Sequence, residues 1–138
     1  YAHGTGHGVG SFLAVHEGPQ RIATSAGGQA GTEEPLAAGM FISNEPGYYK
    51  AGEFGIRIEN LILVEPREIE GAEGEYLGFE TLTYAPIERA LVDTEIMTRD
   101  ELRWWDDYHA KVLEIVGPQL DGEARYWLEA ACAPLTRG

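Results

Sequence analysis

Three of the chain's four histidines fall within its first nineteen residues, Tyr1 to Pro19, in the stretch YAHGTGHGVGSFLAVHEGP. His3 and His7 are four residues apart, a spacing that would put both rings on one face of a helix. Gly4, Gly6, Gly8 and Gly10 argue against a helix, since each interior glycine costs about 1 kcal/mol relative to alanine. An extended or looped segment is expected instead, with glycines that let the backbone come close to a metal, a substrate or another strand. His16, Glu45 and Glu59 complete the set of residues able to do chemistry. Imidazole and carboxylate together suit first-row divalent metals, and the lack of cysteine around them disfavours a thiolate-type zinc centre.

Each candidate also has a plain structural role open to it. Glu45, before Pro46-Gly47, could be a turn residue. Glu59, inside an apolar stretch, would cost several kcal/mol if buried without a partner or a cation. Arg57, on the same face by alternation, offers it a purely structural ion pair. His109 lies on the apolar face of a helical pattern and is expected to pack there, and the Trp104-Trp105 pair reads as core and helix-packing surface.

The elements that must position these residues follow from pattern. Ser11 to Val15 is short and apolar enough for a strand, ended by Glu17-Gly18-Pro19. Gln20 to Pro35, with Ala26-Gly27-Gly28-Gln29-Ala30-Gly31, predicts an exposed, mobile loop. Met40 to Glu45 predicts a strand carrying a carboxylate at its end, broken by Pro46-Gly47. Ile56 to Val64 (IRIENLILV) predicts a single central strand covered on both faces, with charges inside it. Glu65 to Glu75 fits a hairpin connection, and Tyr76 to Tyr84 its returning strand. Thr98-Arg99-Asp100-Glu101 fits a capping box. Leu102, Trp105, His109, Val112, Leu113 and Val116 then repeat at helical spacing until Gly117-Pro118. A second helix from near Asp121 is expected to bury Ala124, Trp127, Leu128 and Ala131. Strands before helices indicate an α+β fold, with an antiparallel-rich sheet followed by two C-terminal helices.

At 138 residues, 43% apolar and 24% charged, the chain has room for one domain. Its formal net charge of −13, from 10 Lys and Arg against 23 Asp and Glu, would repel phosphate backbones, so nucleic acid is not an expected partner. No apolar run approaches the roughly 20 residues needed to span a bilayer, so no membrane is expected either. A single cysteine, Cys132, is compatible with a reducing, cytoplasmic setting. A start without Met, directly on the richest stretch, suggests a piece of something longer.

Three ordered blocks carry a resemblance: HGTGHGVGSFLAVHEGP, then EPGYY at Glu45 to Tyr49, then GIRIEN at Gly55 to Asn60. Together they resemble the C-terminal part of the catalytic domain of Xaa-Pro aminopeptidase (aminopeptidase P), a metallopeptidase of the pita-bread fold. LTYAPIERALVD at Leu82 to Asp93 and the two C-terminal helices resemble the tail of the larger, cytosolic-type members. The resemblance thus covers the whole chain, with residues 1–97 as the second half of the catalytic domain and 98–138 as its helical tail.

By position, the resemblance implies that His7 is a metal-binding histidine, Glu45 a terminal carboxylate ligand and Glu59 a carboxylate bridging two divalent ions, most often manganese. Glu45 would also be the general base. His3 and His16 would line the substrate site, with His16 stabilising charge as the bond breaks, Tyr49 a pocket wall, and Arg57 a support behind the ligands. The substrate would be a peptide with proline in second position. The family's two aspartate ligands and a further histidine have no counterpart here: Asp93, Asp100, Asp106, Asp107 and Asp121 all follow the motif blocks. The chain alone is therefore expected to be inactive and to hold metal weakly, to need the N-terminal part of the same protein, and to self-associate, as in a homodimer. Prolidase- or creatinase-like hydrolysis, and a non-catalytic module of the same fold that binds peptides or proteins, are the rival expectations.

Overall fold

The computed structural model describes residues 3–12, 14–24 and 30–135. They fall into two compact units, residues 1–83 and 84–138.

The first unit is built of antiparallel strands. β1 (Gly6–His7) pairs with β2 (Arg21–Ile22), and β3 (Phe41–Asn44), β6 (Asn60–Arg67) and β7 (Tyr76–Thr81) form a three-stranded sheet with β6 in the middle. β4 (Gly47–Lys50) and β5 (Phe54–Arg57) form a separate hairpin. Ile42 pairs with Ile62 and Leu63 with Phe41, so every second residue of β6 points inward. Ile42, Ile62 and Val64 form the core of this unit, with Ile22, Leu36 and Met40 packed against it.

The second unit starts from a 3₁₀ turn at Arg89–Leu91 and continues into α1 (Arg99–Val116) and α2 (Gly122–Ala131). The capping box forms as expected: Thr98 Oγ accepts from the Glu101 N–H, and Glu101 Oε2 accepts from the Thr98 N–H. Val112, Leu128 and Cys132 make the core, and burial pushes the Cys132 thiol up from its ordinary value. His109 is fully buried, with Nδ1 bonded to the Trp105 carbonyl and Nε2 accepting from the Ile87 N–H. That fixes the Nδ1–H tautomer, because a carbonyl only accepts. Arg89 ties down the end of α2 by donating to the carbonyls of Ala130, Ala133 and Pro134.

Four expectations are corrected. Ser11, Phe12, Val15 and His16 lie in bends and not in a strand, with Phe12 and Val15 exposed, because no neighbouring strand supplies a ladder; Leu13 lies outside the described residues. The loop expected over Gln20 to Pro35 contains β2, and its positions 25–29 lie outside the described residues. Ile56 to Val64 is two strands, because β5 pairs with β4 while β6 pairs with β3 and β7, and the chain changes sheet at Ile58-Glu59. β5 is exposed along its length, so the two-sided burial expected there is absent and Glu59 is solvated. In α2, Leu128 is buried, but Ala124 and Trp127 are exposed.

Candidate metal centre

His7 sits on a two-residue strand held from both sides. On one side Gly6 faces Ile22 and His7 faces Arg21. On the other, Gly8 bridges to Ile42, the Glu45 N–H donates to the Thr5 carbonyl and the Val9 N–H to the Phe41 carbonyl. The close approach explains one of the glycines: a Cβ on Gly6 would run into the Ser43 carbonyl. What the glycine-rich stretch approaches is therefore another strand.

The Gly8 carbonyl accepts twice, from the Glu17 N–H at 2.9 Å and from His7 Nδ1 at 2.8 Å. The first bond brings the His16-Glu17 segment back over β1, where the His16 ring lies 4.3 Å from the His7 ring. The second places a hydrogen of His7 on Nδ1 and leaves Nε2 as the ring atom that could bind a metal.

Nε2 lies 2.8 Å from Glu45 Oε1. Glu45 is buried, 7% exposed, and both its oxygens are occupied: Oε1 also accepts from Ser43 Oγ at 3.2 Å, and Oε2 from Arg57 Nη1 at 3.1 Å. The same guanidinium reaches Glu59 Oε2 from Nε at 3.3 Å. Arg57 thus spans the two carboxylates, pairing with Glu59 as its place on the strand suggested and with Glu45 as well. Nε2 and Oε1 are thus in direct contact, an imidazole nitrogen and a carboxylate oxygen of the kinds that bind divalent metals.

His3 and Tyr49 form a second pair, ring centroids 5.1 Å apart. Tyr49 is held across its hairpin partner Gly55, where a Cβ would meet the ring at 2.7 Å. His3 Nδ1 is buried and has no hydrogen-bond partner among the described residues.

His7, Ser43, Glu59, Leu61 and Thr83 line an open depression of about 390 Å³. A larger hollow of about 1090 Å³ lies beside the β6–β7 hairpin, against Leu36, Pro66, Ile69 and Tyr76, and contains none of the expected ligands. The chemistry therefore points to the smaller one. The donor types, one imidazole and two carboxylates, suit a divalent ion. Among the described residues, however, no group of three or more His, Cys, Asp or Glu side chains is disposed to hold one. His7 and Glu45 meet directly, whereas Glu59 reaches Glu45 through Arg57. Ser43 is the participant that residue types alone did not single out; its spacing of two from Glu45 along an extended chain was the available signal.

Residues 1–66 match the model of metallopeptidase family M24, and residues 75–135 match that of the C-terminal region of the same family's peptidases. The chain belongs to metallopeptidase family M24, with the architecture of the C-terminal half of the pita-bread fold. Among its relatives, a probable Xaa-Pro aminopeptidase P of Laccaria bicolor is 48% identical over 98% of this chain and 21% of its own length. Xaa-Pro aminopeptidase 1 of Dictyostelium discoideum is 44% identical over 98% of this chain and 22% of its own. In three dimensions the chain is similar to the crystal structure of X-prolyl aminopeptidase from Caenorhabditis elegans, described as a cytosolic enzyme with a di-nuclear active site. The TM-score is 0.81 at 37% identity, covering 96% of this chain and 22% of that one. The chain thus spans about a fifth of the length of the curated relatives it matches.

Proposed function

We propose that the chain is part of a dinuclear metalloaminopeptidase that removes the first residue from peptides with proline in second position, and that His7, Glu45 and Glu59 contribute to its metal site. The observation that carries this reading is the direct 2.8 Å contact of His7 Nε2 with the buried Glu45 Oε1, which brings an imidazole and a carboxylate together beside the depression that His7 and Glu59 line. The relatives' names supply the substrate class, and manganese is the proposed metal. When bound, divalent ions would polarise the scissile carbonyl and acidify the attacking water.

The chain's own residues do the rest. Glu45 takes the proton of the attacking water as general base. His16, on the strap beside His7, hydrogen-bonds at the scissile region and stabilises the charge that develops there. Tyr49 and His3, whose rings lie together, wall the substrate site. Arg57 holds the two glutamates in place.

On its own the chain has little or no activity, because two aspartates and a histidine must come from the rest of the protein. That rest covers apolar side chains such as Tyr48, Phe54, Ile56 and Phe79, each about half exposed here; in the isolated chain a second copy does so. No helix among the described residues is long and apolar enough to cross a membrane, and a cytoplasmic setting is part of the proposal.

The test compares the 138-residue chain with the full-length protein on an Xaa-Pro peptide, with and without chelator. Turnover is expected only from the full-length protein, and its His7→Ala, Glu45→Gln and Glu59→Gln variants should each fall by about 10²–10⁴-fold or more. Turnover by the chain alone would sink the fragment reading. Full activity of the Glu45→Gln variant would sink the assignment of the site.

A further inference from the structure

Ser43 occupies a position in the sheet that its backbone alone would fill in an ordinary ladder. The bridge between Gly8 and Ile42 sets His7 opposite Ser43, and the bonds from Val9 to Phe41 and from Glu45 to Thr5 carry that register on either side. At the middle rung the His7 N–H donates to Ser43 Oγ, at 3.1 Å. A hydroxyl can accept and donate at once. Having accepted from His7, it donates to Glu45 Oε1 at 3.2 Å, and this is the oxygen that His7 Nε2 approaches to 2.8 Å. Ser43 itself is fully buried. Its partner across the sheet, Leu61, and its own side chain both line the depression that holds His7 and Glu59.

We propose that Ser43 is a positioning residue of the metal centre: one buried hydroxyl, bonded to the His7 backbone and to Glu45 Oε1, fixes where His7 Nε2 and Glu45 Oε1 meet. The inference rests on His7 and Glu45 being metal ligands. Without the hydroxyl, the His7 N–H loses its acceptor and Oε1 loses the neutral donor that fixes its rotation. Arg57 holds the other oxygen, but its side chain is 46% exposed and leaves that end free to shift. The two ligands would still be present, but their spacing would no longer be set.

The experiment is a titration of Mn²⁺ into the metal-free full-length protein by calorimetry, with thermal unfolding of the metal-free form in parallel. Ser43→Ala should weaken Mn²⁺ binding by about 10- to 100-fold, the range for residues that orient metal ligands. Ser43→Thr, which keeps a hydroxyl, should restore most of it, and Ser43→Val, of the same shape as threonine without the hydroxyl, should not. Wild-type affinity in a folded Ala or Val variant would overturn the proposal. So would failure of both to fold while Thr folds and binds normally, since the hydroxyl would then serve stability alone. His7→Ala separates the two levels of inference. If that variant binds Mn²⁺ as the wild type does, the metal-site reading itself fails; if it loses binding while Ser43→Ala does not, only the role of Ser43 fails.

Discussion

Arg57 touches two glutamates at similar distances, and the structure predicts that the two contacts differ in strength. Glu45 is buried, its side chain 9% exposed, while that of Glu59 is 39% exposed and the guanidinium 46%. A hydrogen bond to a charged partner contributes about 1.5–3 kcal/mol when shielded from water. Discounting for the half-exposed arginine brings the Arg57–Glu45 coupling to about 1 kcal/mol, whereas Arg57–Glu59, open to solvent at both ends, should give about 0.2–0.5 kcal/mol. Two double-mutant cycles measure this, one with Arg57→Met and Glu45→Gln, the other with Arg57→Met and Glu59→Gln. Methionine keeps the apolar stem and removes the charge. Urea unfolding with chelator present, followed by far-ultraviolet circular dichroism, supplies the four free energies of each cycle. An Arg57–Glu59 coupling equal to or larger than that of Arg57–Glu45, or none in either cycle, would refute the view that burial of Glu45 makes it the principal partner.

Two further outcomes concern the helical unit. His109→Leu should destabilise by about 1–3 kcal/mol in urea unfolding, because the Ile87 N–H loses its acceptor; His109→Gln, which can supply an oxygen there, should cost less, and a Leu variant as stable as wild type would contradict this. The bonds from Thr98, the backbone N–H foremost and then the hydroxyl, hold the Glu101 carboxyl below its ordinary 4.5, so its stabilisation is present above that value and lost as pH falls through the lower, folded-state value. Glu101→Ala should therefore melt below wild type near neutrality, with the gap closing as pH is lowered below the ordinary 4.5, and a gap that widens would reverse the sign.

The sequence made the second unit almost fully legible because its signals are local. The Thr98–Glu101 box and the spacing of Trp105, His109 and Val112 mark α1 without reference to any other segment. Trp127 shows the limit: its place on the helical wheel suggested burial, but what α2 packs on decides, and Leu128 takes that role. In the strand unit the signals depend on partners. The alternation of IRIENLILV runs unbroken through Ile58-Glu59, and only the pairing of β5 with β4 and of β6 with β3 and β7 shows that two strands meet there. Phe12 and Val15 are apolar enough for a strand, but among the described residues no strand pairs with them and they stand exposed. In the site, His7 and Glu45 could be named from residue type and motif. Their joint dependence on Ser43 could not, since it requires knowing that β1 lies against β3.

The distribution of aromatic residues decides which spectroscopic signals can see the site. All three tryptophans, Trp104, Trp105 and Trp127, belong to residues 84–138, and none lies in the unit that carries His7, Glu45 and Glu59. Emission excited selectively at tryptophan therefore reports the helices, with Trp105 buried against His109 and Trp127 in water. The unit that carries the candidate ligands holds Tyr49, its ring tilted against that of His3. A tryptophan placed at Tyr49 would add a selectively excited reporter to the unit that carries the candidate ligands.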